Sequence, residues 1–181
     1  MNIDRNFSFT VSLIWAMVAC TSTHEYSDSN RSKIASKYPR MIGDIAPDSL
    51  TDNLDFRICG RENRIVQYYG LGEKTYKGEK WAIEHRFIEK YQAPNLSGQT
   101  GLIRIRFIVN CEGESGRFRL IGMDSDYKAK SFDPKITDQL MDITKSLDGW
   151  KTFNRKSGTP LEYYQYLIFK IKDGQLKEIL P

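Results

Sequence analysis

Histidine, cysteine and proline are scarce in this chain and long apolar runs are missing, and each shortage removes a class of function. The two histidines, His24 and His85, offer none of the His and Cys spacings that build a zinc site. His85 falls within a helical stretch and reads as a surface residue. Neither a Gly-x-Ser-x-Gly elbow nor a phosphate loop occurs, so the motifs of serine hydrolases and nucleotide sites are missing. In "MDSDYKAKSFD", Asp124, Asp126 and Asp133 lack the glycine and closing glutamate of an EF-hand loop, and the stretch reads as a solvated turn before a helix cap. No catalytic residue, metal or cofactor is expected, and the chain is read as a non-enzyme. The alternative, a catalytic constellation assembled only in space, would need a concave site with converging polar groups.

Six prolines, none in a tract, leave no rigid extended spacer. The net charge is +4, with 27 Lys and Arg interleaved among 23 Asp and Glu, so no basic stripe marks a nucleic-acid partner. With 40% hydrophobic and 28% charged residues and no repeats, the composition suits one compact domain on a tether.

The longest apolar stretch runs from Phe7 to Ala19, interrupted by Ser8, Thr10 and Ser12, and is shorter than the about 20 residues of a membrane-spanning helix. Preceded by Arg5 and followed at once by the polar "TSTHEYSDSNRSK", it has the layout of an export signal. Its end, "MVAC", resembles the bacterial lipobox, Leu-(Ala/Ser)-(Gly/Ala)-Cys, whose cysteine is lipidated and becomes the first mature residue. Ala19 and Cys20 match, and Met17 stands where leucine is usual. The resemblance implies a signal peptide over 1–19, a lipid on Cys20 and a membrane tether. Because Asp4 offsets Arg5, a plain cleaved signal and an uncleaved anchor are the alternatives. Thr21 stands where an aspartate would retain such a lipoprotein at the inner membrane, which implies a periplasm-facing place in the cell envelope, at the outer membrane. The Ser/Asp/Asn-rich segment up to Ser36 reads as a flexible spacer, 20–36.

Lipidation would consume Cys20 and leave Cys59 and Cys111. In an oxidising compartment an even pair of remaining thiols is expected to form a disulfide. The alternative is two buried, unpaired cysteines serving as small hydrophobes.

Patterning along the rest of the chain indicates an α+β fold. "DFRIC" and "RIVQYY", separated by "GREN", predict a short hairpin over 56–69. In "GEKWAIEHRFIEKYQ", Ile83, Phe87 and Tyr91 are four apart with Ile88 beside them, an apolar stripe on a helix ending before Pro94. In "GLIRIRFIVN", Ile103, Ile105, Phe107 and Val109 alternate with polar positions including Arg104 and Arg106, the pattern of a half-buried strand. "CEGESG" turns the chain, and "RFRLIGM" continues with Phe118 and Leu120 opposite Arg117 and Arg119. Asp133 and Pro134 then cap a helix carrying Ile136, Leu140, Ile143 and Leu147. "EYYQYLIFKIK" is β-prone, and Asp173-Gly174 is a two-residue hairpin signal before a last strand.

From Gly101 to Lys172 the sequence resembles the C-terminal domain of TonB, the periplasmic energy transducer. The likeness is carried by the hairpin "GLIRIRFIVNCEGESGRFRL" and by the helix leading through Gly149 and Trp150 to Gly158, Thr159, Pro160 and Leu161. It implies a small antiparallel sheet with two helices on one face, the TonB-like domain over 101–181 preceded by an amino-terminal β extension over 37–100 that holds the short hairpin and the first of the two helices. It also implies protein recognition associated with TonB-dependent transport, in which a segment of an outer-membrane receptor, or of another periplasmic protein, adds as an extra strand. The edge concerned would be Tyr163 to Lys172, with Tyr164, Gln165 and Tyr166 meeting the partner. The alternatives are tyrosines that pack on a helix, and a lipid-anchored structural protein that binds no receptor. The chain departs from the transducer in having no spanning helix and no proline-rich spacer. Pairing of Gln175 to Leu180 with the preceding strand would cover the edge the receptor uses.

Overall fold

The computed structural model describes residues 44–180. The expected signal sequence, Cys20 and the spacer 20–36 lie outside the described residues. The fold is α+β. In chain order the elements are β1 (Val66–Gln67), α1 (Glu79–Lys90), β2 (Gly101–Val109), β3 (Ser115–Met123), α2 (Pro134–Lys145), β4 (Phe153–Asn154), β5 (Pro160–Leu161), β6 (Tyr163–Lys172) and β7 (Gln175–Leu180). No helix among the described residues is long and apolar enough to cross a membrane.

The core follows from the alternation in β2. Ile103, Ile105, Phe107 and Val109 are fully buried on one face of the sheet, joined by Tyr163, Leu167, Phe169 and Ile171 from β6. Both helices press onto this inner face. Ile136, Leu140 and Ile143 of α2 enter the same cluster as Ile83 and Phe87 of α1, and the Phe87 and Phe169 rings lie 4.8 Å apart. Each such side chain contributes about 1.5–3 kcal/mol on burial. The Asp133 carboxylate accepts the Lys135 N–H at 2.8 Å and Pro134 occupies the first turn, so α2 begins where its cap directs. Between β2 and β3 the chain turns at Gly113, φ 83°, where a side chain would also meet the Trp150 carbonyl at 2.9 Å.

β6 is the axis of the sheet. One edge pairs antiparallel with β2 from Tyr163↔Val109 to Ile171↔Gly101, and β2 pairs in turn with β3. The other edge is shared by two strands, β1 at its start and β7 at its end. The β6–β7 turn has positive φ at Asp173 and Gly174, as a two-residue hairpin requires.

Three expectations are corrected. The hairpin expected over 56–69 does not form: β1 spans only Val66–Gln67 and pairs with β6, and that pairing is parallel, so the sheet is mixed. Side chains bind the backbone before it in place of a strand. The Glu162 carboxylate accepts the N–H groups of Cys59 and Gly60, and the Asn110 amide donates to the Arg57 carbonyl. Ile88, assigned to the buried stripe of α1, is 78% exposed. It follows Phe87 directly, about 100° further round the helix, and so points away from the sheet.

The amino-terminal segment covers part of the outer face. Ile45 and Ile65 form a second cluster there with Ile108 and Tyr164, with Phe56 and Ile58 packed against it. The Cys59–Cys111 disulfide is formed, with 6.1 Å between its Cα atoms, and fastens this segment to the β2–β3 turn. Arg119 reaches Asp52 at 2.6 and 3.0 Å, and Arg117 grips Glu62 with two bonds of 2.8 Å.

Candidate functional site: the shared edge of β6 and β7

The polar strand edge named from the sequence exists in altered form. β1 pairs with Tyr163 and Tyr164, and β7 pairs with Ile168 through Lys172. Gln165, Tyr166 and Leu167 fall between, with no strand partner on this edge among the described residues. The three candidate contact residues separate accordingly. Tyr164 is buried in the outer-face cluster, its hydroxyl 3.4 Å from Asp44 Oδ1. Gln165 is buried on the inner face, where its Oε1 accepts from Thr75 Oγ1 at 3.2 Å and its Nε2 donates to the Tyr166 carbonyl at 3.1 Å. That amide satisfies a backbone acceptor in the gap. Tyr166 is half-buried, its ring edge-on to Tyr68 at 5.2 Å with a Tyr68 hydroxyl donated to its own at 3.4 Å. Burial, and next the Tyr166 hydroxyl, push the Tyr68 phenol up to about 12, so Tyr68 stays a neutral hydrogen-bonding group near pH 7.

Beneath the gap lies a cavity of about 210 Å³ floored by Ile83, Leu167, Ile179 and Leu180. Gln165 and Thr75 in its lining bond to each other, and Glu73, Lys74, Glu79 and Lys80 line it as well.

The open edge is the next strand out. β7 pairs only with β6 among the described residues, so the whole of Gln175–Leu180 presents a second, unpaired side. A groove of about 350 Å³ runs along it against α1, between Leu176 and Ile179 on the strand and Phe87, Ile88 and Tyr91 on the helix. The strand is held at its turn: Tyr91 donates its hydroxyl to the Gly174 carbonyl at 2.7 Å, and Asp173 Oδ1 accepts the Gly98 N–H at 3.0 Å. Burial pushes the Tyr91 phenol up to about 12, so this bond persists through the neutral range. Lys177 sits exposed on the edge at the bulge where the β6–β7 register shifts. A lysine there deters pairing with a second identical edge.

Sequence reasoning missed Glu162, a buried carboxylate that organises the covering segment, and Ile88, an exposed apolar side chain at the rim of the groove. A glutamate inside an otherwise apolar and aromatic strand start, "PLEYY", was the available signal for the first. The second had none, because Ile88 lies next to the stripe it was assigned to. No family model, no curated protein and no solved structure matches the chain.

Proposed function

We propose that this chain is a protein-binding module of TonB C-terminal-domain-like fold that takes up an extended partner segment by strand addition on β7. The observation that carries the reading is the unpaired six-residue edge of β7 beside an apolar groove, with Ile88 exposed at the rim. Backbone pairing along β7 would supply affinity, and the groove would take one apolar side chain of the partner. The edge that the resemblance assigns, Tyr163 to Lys172, is occupied from within by β1 and β7 except at Gln165, Tyr166 and Leu167. Recognition therefore moves one strand outward. Tyr166 lies in the gap between β1 and β7, one strand inward of the β7 edge.

The place of action we propose is the cell envelope, with Cys20 lipidated and the domain facing the periplasm from the outer membrane, and the partner a receptor segment or another periplasmic protein. The "MVAC" sequence supports the lipid, and the Cys59–Cys111 bond supports an oxidising compartment. A second reading, a lipid-anchored structural protein, is favoured by the same occupation of the β6 edge. It predicts that β7 amides exchange as slowly as those of β2, with or without envelope components.

The test is photocrosslinking in intact envelopes from a reactive side chain placed at Lys177, with Lys128 on the distant turn as control. The proposal predicts a defined protein crosslinked from 177 alone, and loss of that product in Ile88→Glu. The same products from both positions, or none from 177, contradict it.

A further inference from the structure

The outer face of the sheet carries four arginines and the described residues neutralise two of them. Arg117 is paired with Glu62 and Arg119 with Asp52. Arg104 and Arg106 have neither an ion pair nor a guanidinium hydrogen bond among the described residues, and Arg104 Nε and Arg106 Nη2 are buried without any partner. Unpaired buried guanidinium N–H groups are costly, and like charges on neighbouring side chains add repulsion. Arg106 shows the strain: burial, and next the charge of Arg104, hold it below the usual guanidinium range. Asp44 attracts Arg106 but lies outside ion-pair distance, and its Oδ1 faces the Tyr164 hydroxyl. A fold that needed only packing here would be as stable with methionine or leucine.

The surroundings indicate which ligand the pair would fit. Arg104 and Arg106 are two residues apart on β2 and project from the same face, so their Cα atoms are about 7 Å apart. Their register neighbours are Ile121 and Ile168 beside Arg104, and Arg119 and Tyr166 beside Arg106. Ile121 is 41% exposed. An extended peptide repeats its own side chains at the same about 7 Å spacing, and a guanidinium donates two parallel N–H bonds to a carboxylate. We infer that Arg104 and Arg106 form a docking site for an acidic partner peptide whose carboxylates stand two residues apart, on the face it turns to the sheet. This site lies on the sheet face and does not depend on the reading of the β7 edge.

The probe is a fluorescent octapeptide alternating glutamate with valine, titrated into the full oxidised chain and followed by anisotropy at low and physiological salt. Its glutamine counterpart is the control. The site predicts binding of the glutamate peptide that weakens with salt, at least about tenfold weaker binding of the glutamine peptide, and a similar loss in Arg104→Gln/Arg106→Gln. Lys128→Gln leaves binding unchanged. In the absence of peptide the double variant melts at the same or a higher temperature. Equal binding of the two peptides, or undiminished binding by the double variant, overturns the proposal. A lower melting temperature of the double variant overturns it too, since the arginines would then be structural. So does arginine-dependent binding of inorganic phosphate or anionic phospholipid vesicles with none of the peptide.

Discussion

Glu162 sits at the threshold of β6 with its carboxylate turned back onto Cys59, accepting that residue's N–H at 2.5 Å and the N–H of Gly60 at 3.2 Å. Glu162 is 5% exposed, while the donor residues Cys59 and Gly60 are exposed. Beside this contact, Val66 donates its N–H to the Glu162 carbonyl at 3.0 Å. One residue thus fixes both the disulfide-bearing loop and the start of β1. Glu162→Ala should remove both hydrogen bonds to the carboxylate and cost about 1.5–3 kcal/mol in total, read as a lower urea midpoint with unchanged slope. A midpoint equal to that of the unaltered chain would show that the loop is held by other means.

The disulfide closes a separation of 52 residues. In the chain-entropy model this stabilises by about 4 kcal/mol. Cys59→Ser/Cys111→Ser should lose an amount of that order in chemical denaturation, and thiol reduction of the unaltered chain should reproduce the loss. If neither changes stability, the covering segment docks by packing and ion pairs alone.

Packing contributes where Phe56 lies over Gly116. A Cβ at Gly116 would stand 2.3 Å from the Phe56 ring, so Gly116→Ala must displace that ring, at about 1–3 kcal/mol. Amide exchange should quicken over 44–65 while β2 keeps its protection. Uniform quickening would mean that the segment and the sheet unfold as one unit.

Acid should loosen the same segment. The Arg119 guanidinium bonded to Asp52 holds its carboxyl below the usual carboxylate range, against the opposing effect of burial. A depressed folded-state value means that the stabilisation is complete above the unfolded value of about 4 and is lost as pH falls through the lower folded value. Stability should fall below about pH 4, and Asp52→Asn should be less stable at neutral pH with a shallower fall in acid. Identical acid profiles for the two chains would remove Asp52 from the account.

How much of this was legible in the sequence follows the range of the interactions. Ile103 to Val109, Asp133-Pro134 and Asp173-Gly174 act through neighbours two to four residues away, and the strand, capped helix and final hairpin stand where those residues put them. β1 is two residues long and pairs with a strand nearly a hundred residues later. Its local sequence favoured a hairpin, and the long-range bonds of Glu162 and Asn110 prevailed. The same long-range pairing divided the edge of β6, burying Tyr164 and Gln165, which were named for their chemistry. The cysteine pair was readable from number and expected compartment, without any knowledge of the fold.

Strand addition along β7 is tested most directly by register. Photoreactive side chains placed singly at Glu178 and Leu180, both beyond the bulge of β7, would be crosslinked in envelopes and the attached partner residues read by mass spectrometry. A strand laid against this edge predicts that moving the probe by two residues moves the attachment point by two in the same partner segment, since side chains repeat every second residue on a paired strand. Attachment points that stay fixed, or scatter over unrelated segments, would contradict the claim that β7 is the recognition edge.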